Sequence, residues 1–119
     1  MKIAVSSEGQ YLSSTVDPRF GRARGFVVYD TESKDFTYVD NKQNLESAQG
    51  AGIQSAVTVI DTGASAVITG NVGPKAYSTL SQGGVSIYLC SGCTVGEAVD
   101  KLQRNELETC NDANVEGHW

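Results

Sequence analysis

Arg19, Arg22 and Arg24 fall within the run Val16-Asp17-Pro18-Arg19-Phe20-Gly21-Arg22-Ala23-Arg24, in a chain with only nine Lys and Arg and a formal net charge of -5. Guanidinium forks brought to one place grip a compact anion through several donors at once. Solvated and paired with Asp17, the same arginines would do no chemistry. Pro18 and Gly21 keep the run from being a regular helix or strand. A second, softer set of groups lies in Cys90-Ser91-Gly92-Cys93, whose two thiols are close enough in sequence to bind one metal. A single CxxC is half of a closed site, because zinc needs four ligands. Cys110 and His118 are the other soft candidates and are secondary to the pair. Read structurally instead, Cys90 is a buried strand end, Cys93 a helix flank, Cys110 a tail thiol and His118 part of a flexible terminus.

Length and composition bound what these groups can serve. The 119 residues suit one domain with a real core, and 39 % hydrophobic with 19 % charged residues is the composition of a soluble globular protein. No apolar run approaches the roughly 20 residues of a membrane helix. Met1-Lys2 leads straight into strand-like Ile3-Ala4-Val5 with no signal-peptide pattern, so a cytoplasmic protein is expected. An acidic balance argues against duplex nucleic acid, whose binding depends on neutralising phosphates. Three cysteines, an odd number, read as free or metal-binding thiols.

The elements that must position these groups follow from periodicity. Strands are expected at 2–6, 25–30, 35–40, 64–69 and 85–89, with a hairpin turn at Thr31-Lys34. The polar stretch from Ser7 to Arg24 is long for an idle connection. Residues 41–49 read as a polar loop. Ile53, Ala56, Val57 and Ile60 recur at helical spacing after Gly50-Ala51-Gly52. Pro74 suits the first position of a second helix. Thr94-Val95-Gly96-Glu97 is a capping box for a third helix that ends near Asn105. The rest, 106–119, reads as a polar tail on which Val115 and Trp119 could dock. Right-handed crossovers then give a mixed sheet of order 3-2-1-4-5. In it the Arg run, Gly50-Ala51-Gly52, Gly70-Asn71-Val72-Gly73 and the CxxC converge at the carboxyl edge, where open α/β sheets bind ligands. Three helix amino termini point to that edge, and each favours an anion.

In that order, the Val16–Ala23 run, Gly50-Ala51-Gly52-Ile53, Gly70-Asn71-Val72-Gly73-Pro74-Lys75-Ala76 and Gly92-Cys93-Thr94-Val95-Gly96-Glu97-Ala98 resemble the dinitrogenase iron-molybdenum cofactor biosynthesis family over about residues 1–107. The resemblance implies a ribonuclease-H-like α/β domain with a five-stranded mixed sheet and three helices. It further implies non-catalytic binding, carriage or scaffolding of an iron-sulfur or molybdenum-containing cluster for cofactor assembly. Expected partners are the cluster and the proteins that donate or accept it, with no nucleic acid or membrane, and the chain a monomer or weak homodimer. The domain is expected to span 1–107, with a polar tail at 108–119.

The site expected on these grounds has Arg19, Arg22, Arg24, Gly50, Gly52, Gly70 and Gly73 around the anion, with Cys90 and Cys93 on its metal. Gly50-Ala51-Gly52 is not a dinucleotide loop, because Ser55 stands at the third glycine and the motif follows a loop, not the first strand. A two-metal nuclease needs clustered acids on the central strands. The first strand runs Ile3-Ala4-Val5-Ser6-Ser7 and the fourth ends in Thr69-Gly70, which excludes it. The rival from another class is a CxxC thiol-disulfide or zinc-binding protein. Against the redox reading, Cys93 precedes the helix cap Thr94 and does not open the helix.

Overall fold

The fold is described from a computed structural model, which covers residues 1–42 and 50–111. Its elements are β1 (Lys2–Ser7), β2 (Gly25–Asp30), β3 (Phe36–Asp40), α1 (Ala51–Asp61), β4 (Ala66–Thr69), α2 (Pro74–Gln82), β5 (Ser86–Leu89), α3 (Val95–Gln103) and β6 (Glu108–Thr109). The sheet order is β3-β2-β1-β4-β5-β6. β1, β4 and β5 are parallel, while β2 and β3 form an antiparallel meander on one flank. The expected 3-2-1-4-5 order is therefore present, with one strand more than expected.

That extra strand lies in the polar tail. Glu108 pairs with Leu89 and Thr109 with Tyr88, and the Cys110 amide donates to Ile87 O at 2.7 Å. All five expected strands are present, and β6 adds a sixth at the β5 edge. Two polar residues carry no alternation to read, and backbone pairing on an open sheet edge makes the strand. Of the expected loop at 41–49, residues 43–49 lie outside the described residues, as do Val115, His118 and Trp119 of the tail.

Alternation along the strands splits the core between the two faces of the sheet. Ile3, Val5, Val27 and Ile68 pack with Val95, Ala98, Val99 and Leu102 of α3. Ala4, Phe26, Val28 and Val67 face the other way, against Ala56 and Val59 of α1 and Ala76 and Leu80 of α2. α3 starts at its expected cap, with the Thr94 side chain accepting from the Glu97 amide and Glu97 accepting from the Thr94 amide at 2.9 Å. Those bonds hold the Glu97 carboxyl below its ordinary value, so the cap stabilises above that value and fades as acid protonates Glu97.

The long connection between β1 and β2 is built into the carboxyl edge. Val16 is buried on the α3 face and Phe20 on the opposite face, where its ring lies 5.4 Å from that of Phe26. Each fully buried anchor contributes about 2 kcal/mol. Between them Pro18 rests on Gly70: a Cβ added at Gly70 would lie 2.8 Å from Pro18 Cα. Gly70→Ala is therefore expected to destabilise the fold by about 1–3 kcal/mol, read by urea denaturation. An unchanged midpoint would show that the loop shifts freely.

Candidate functional site at the carboxyl edge

Asp17 is the buried centre of the loop that carries the arginines. Its amide donates to Ser6 O at 2.8 Å, and its carbonyl accepts from the Ser6 hydroxyl at 2.7 Å. The Ser6 hydroxyl also lies 2.8 Å from Thr69 Oγ1, so β1, β4 and the loop share one buried polar junction. The Asp17 carboxylate accepts from the Arg19 amide at 3.0 Å and lies 3.6 Å from Arg19 Nε. The pairing of Arg19 with Asp17, the loop's plainest alternative role, is thus present. It leaves more than half of the Arg19 side chain exposed, at 56 %. A half-exposed ion pair of this kind is worth at most about 1 kcal/mol. The apolar anchors therefore hold the loop, and the ion pair orients Arg19.

Past Arg19 the chain runs beside the exit of β4. Arg19 bridges Asn71 in parallel, the Phe20 amide donates to Asn71 O at 3.3 Å, and Asn71 Nδ2 donates to Pro18 O at 3.1 Å. Gly73 then caps α2 in extended conformation, and Gly50 caps α1 with a left-handed φ of 79°. Neither glycine has a side chain to cap its helix, and neither helix has an acid in its first turn. α3, by contrast, is closed by its own capping box. Among the described helices, the starts of α1 and α2 thus keep their anion preference. Gly52 is buried within the first turn of α1. Gly70 serves the packing of Pro18 as described.

Arg22 is half-buried, and Arg24 is exposed. Arg24 lines a cleft of about 400 Å³ with Gln10, Tyr38, Asp40 and Lys42, on the β2–β3 flank. Burial first, and Asp40 second, raise the Tyr38 hydroxyl above its ordinary value, opposed by Arg24. The end of the loop is fastened by Asn41. Its Nδ2 donates to Ala23 O at 2.9 Å and to Ser55 Oγ at 3.0 Å, and its amide donates to Arg24 O at 2.9 Å. The sequence reading missed Asn41 and passed over Ser55 as merely not glycine; an amide just after a strand and a hydroxyl on the inner face of a helix were the available signals.

Cys90 and Cys93 are brought together. Their sulfurs are in direct contact, with Cα atoms 7.1 Å apart, and both residues are buried beside Val16. Gly92, with φ of 73°, makes the turn between them. The Cys90 amide donates to Thr69 O and the Val16 amide to Cys93 O, each at 3.0 Å. The thiol pair and the Arg loop therefore flank the same β4 exit. Cys110 does not join them: it packs with Ile87 in the core cluster on the other face of the sheet. Among the described residues no three His, Cys, Asp or Glu side chains gather as a metal centre.

A family model described as dinitrogenase iron-molybdenum cofactor matches residues 1–105. The chain belongs to that family. It is 39 % identical to the orange protein (ORP) from Desulfovibrio gigas, solved in its apo form, over 96 % of both chains with a TM-score of 0.94. It is 37 % identical to a Thermotoga protein solved by NMR and described as a candidate NifB protein, over 98 % of both chains with a TM-score of 0.85. An uncharacterized protein of Methanocaldococcus jannaschii is 31 % identical over 113 residues, 91 % of this chain and 90 % of that one. Membership of the family implies a cofactor-related role. No helix among the described residues is long and apolar enough to cross a membrane.

If Asn41 fastens the arginine loop, Asn41→Ala should cost about 1–3 kcal/mol, because buried partners lose their bonds. It should also speed amide exchange from Phe20 to Arg24. Unchanged exchange there would show that the loop is held without it.

Proposed function

We propose that this protein binds and carries a compact anionic metallocluster, iron-sulfur or molybdenum-containing, at the carboxyl edge of its sheet, and passes it to acceptor proteins during cofactor assembly. What supports the reading is the seat of the Arg19–Arg22 loop beside two glycine-started helices: Arg19 bridges Asn71, two residues before Gly73, and Gly21 O accepts from the Ser55 hydroxyl of α1 at 3.5 Å. Arg19 and Arg22 supply charge-assisted donors, with Arg24 at the flank and the backbone around Gly50, Gly52, Gly70 and Gly73 lining the approach. Cys90 and Cys93 offer soft donors at the border of the same edge. Similarity to a protein called orange, solved in an apo form, supports a removable and coloured cargo. Cys110 packs on the other face of the sheet from Cys90 and Cys93 and is not counted among the donors, and His118 lies outside the described residues.

The role is non-catalytic. Asp17, the acid built into the loop, is committed to Arg19 and to the loop backbone, and no trio of metal-ligating side chains accompanies it among the described residues. Two-metal hydrolysis would need such a group. Contact between the Cys90 and Cys93 sulfurs favours a second reading, thiol-disulfide exchange. Their burial weighs against it, since an exchanging thiol must be reached by another sulfur.

The test is metal and acid-labile sulfide analysis of protein purified without oxygen, with its visible spectrum. Wild type should carry iron or molybdenum with sulfide, and its colour should disappear on treatment with chelator and acid. Hydrogen bonds to charged groups are worth about 1.5–3 kcal/mol each. Arg19→Ala with Arg22→Ala should therefore cut loading at least tenfold while the fold survives. Equal loading without both arginines would remove the basis of the proposal.

A further inference from the structure

We propose that β3 is a docking edge for a second copy of this chain, the two strands pairing antiparallel about a two-fold axis at Thr37. The inference goes beyond the anion reading and stands on different residues.

β3 lies at one end of the sheet, and among the described residues no strand pairs with its outer side. The ladder with β2 decides which groups that side offers. The Asp30 amide donates to Asp35 O and the Asn41 amide to Arg24 O, each at 2.9 Å, on the register that pairs Val28 with Thr37 and Phe26 with Val39. Antiparallel pairs alternate between bonded and non-bonded, so Asp35, Thr37, Val39 and Asn41 turn their backbone groups toward β2. Phe36, Tyr38 and Asp40 turn theirs outward. The edge is also poorly guarded against pairing. β3 holds no proline and no charge before Asp40, and Phe36 is 37 % exposed. At the other end of the sheet β6 is two residues long, too short to serve as a template.

Register then selects the occupant. Outward groups meet outward groups only if the two-fold axis passes through a residue, not between two. With the axis at Thr37, Phe36 faces the partner's Tyr38, Thr37 faces the partner's Thr37, and Lys34, at the turn just before β3, falls beside the partner's Asp40. Aromatic, threonine and opposite-charge pairs are the favourable cross-strand combinations. With the axis at Tyr38, Lys34 would face the partner's Lys42, and like charges set opposite destabilise a sheet. With the axis at Phe36 or Val39, no opposite-charge pair forms among the described residues. The edge is thus complementary to itself, and symmetry makes the aromatic and charge pairs twice. One strand pair buries little surface, so the dissociation constant should be on the order of 100 µM. Because the paired strands are antiparallel, the carboxyl edges of the two copies point in opposite directions, which keeps the two anion sites apart.

The experiment is sedimentation of the full chain at concentrations from well below to well above that constant, where a monomer–dimer equilibrium is expected. Lys34 has a left-handed φ of 64°, a conformation Asp adopts readily, so Lys34→Asp tests charge alone. It should weaken the dimer about tenfold, as should Phe36→Lys. Adding Asp40→Lys to Lys34→Asp should restore the dimer to within about threefold of wild type. Facing non-bonded positions bring Cβ atoms to about 5 Å, so Thr37→Cys treated with oxidised glutathione should link two chains through a disulfide. Asp35→Cys, which faces the partner's Val39 in this register, should stay unlinked, as should wild type. Should the charge or Phe36 variants misfold, the Thr37→Cys link decides. Arg19→Ala with Arg22→Ala should leave the dimer unchanged, so loss of cluster loading and loss of the dimer are read separately. A monomer at every concentration, a dimer indifferent to Phe36→Lys and to the charge swap, linking at Asp35→Cys equal to that at Thr37→Cys, or a dimer lost with the arginines would each overturn the assignment.

Discussion

The placement of the loop between β1 and β2 across the sheet's carboxyl edge is the constraint on which the site depends. Val16 enters the core on one face and Phe20 on the other, so the chain must cross over the ends of β1 and β4. Crossing there exposes backbone to a mostly apolar edge. Ser6, Thr69 and the Asp17 backbone answer that cost with bonds of 2.7 to 2.8 Å. Every buried side-chain polar atom of the described residues has a partner. The arginines are therefore presented by a fixed piece of structure.

Electrostatics enters on top of that frame. A chain of net charge -5 repels anions at a distance, so any attraction must be local. The starts of α1 and α2 have neither a side-chain cap nor a first-turn acid to oppose such an attraction, while α3 spends its amino end on Thr94 and Glu97. The edge is thus asymmetric. Hard, hydrogen-bonding donors lie toward α1 and α2, and soft sulfur lies toward α3. The exit of β4 separates the two.

Much of this was legible in the sequence, because it rests on local signals. The capping box at Thr94, Pro74 at the start of α2, and the alternating strands all recur where periodicity puts them. The handedness of crossovers then fixes the order of the sheet. What was not legible depends on contacts between distant residues. Asn41 reaches Ser55 and Ala23 only after folding, and β6 exists only because β5 offers an open edge. The side of the sheet on which Cys110 lands follows from the register of that last pairing, which nothing in Glu106-Leu107-Glu108-Thr109 encodes. The pairing of Arg19 with Asp17 was visible as an alternative, and it turned out to coexist with an exposed guanidinium.

The two apolar anchors also act as a ruler. Only Asp17, Pro18 and Arg19 lie between Val16 and Phe20, and each is spoken for, by Ser6, by Gly70 and by Asn71. The stretch holds no slack, so a residue gained or lost there would turn Arg19 away from the β4 exit or pull an anchor out of the core. The earlier part of the same connection is tied differently, by backbone: the Leu12 and Ser14 carbonyls accept from the Gly96 and Val95 amides, each at 2.8 Å, at the first turn of α3. One loop is thus gauged by side-chain anchors where it carries the arginines and by a helix start where it does not.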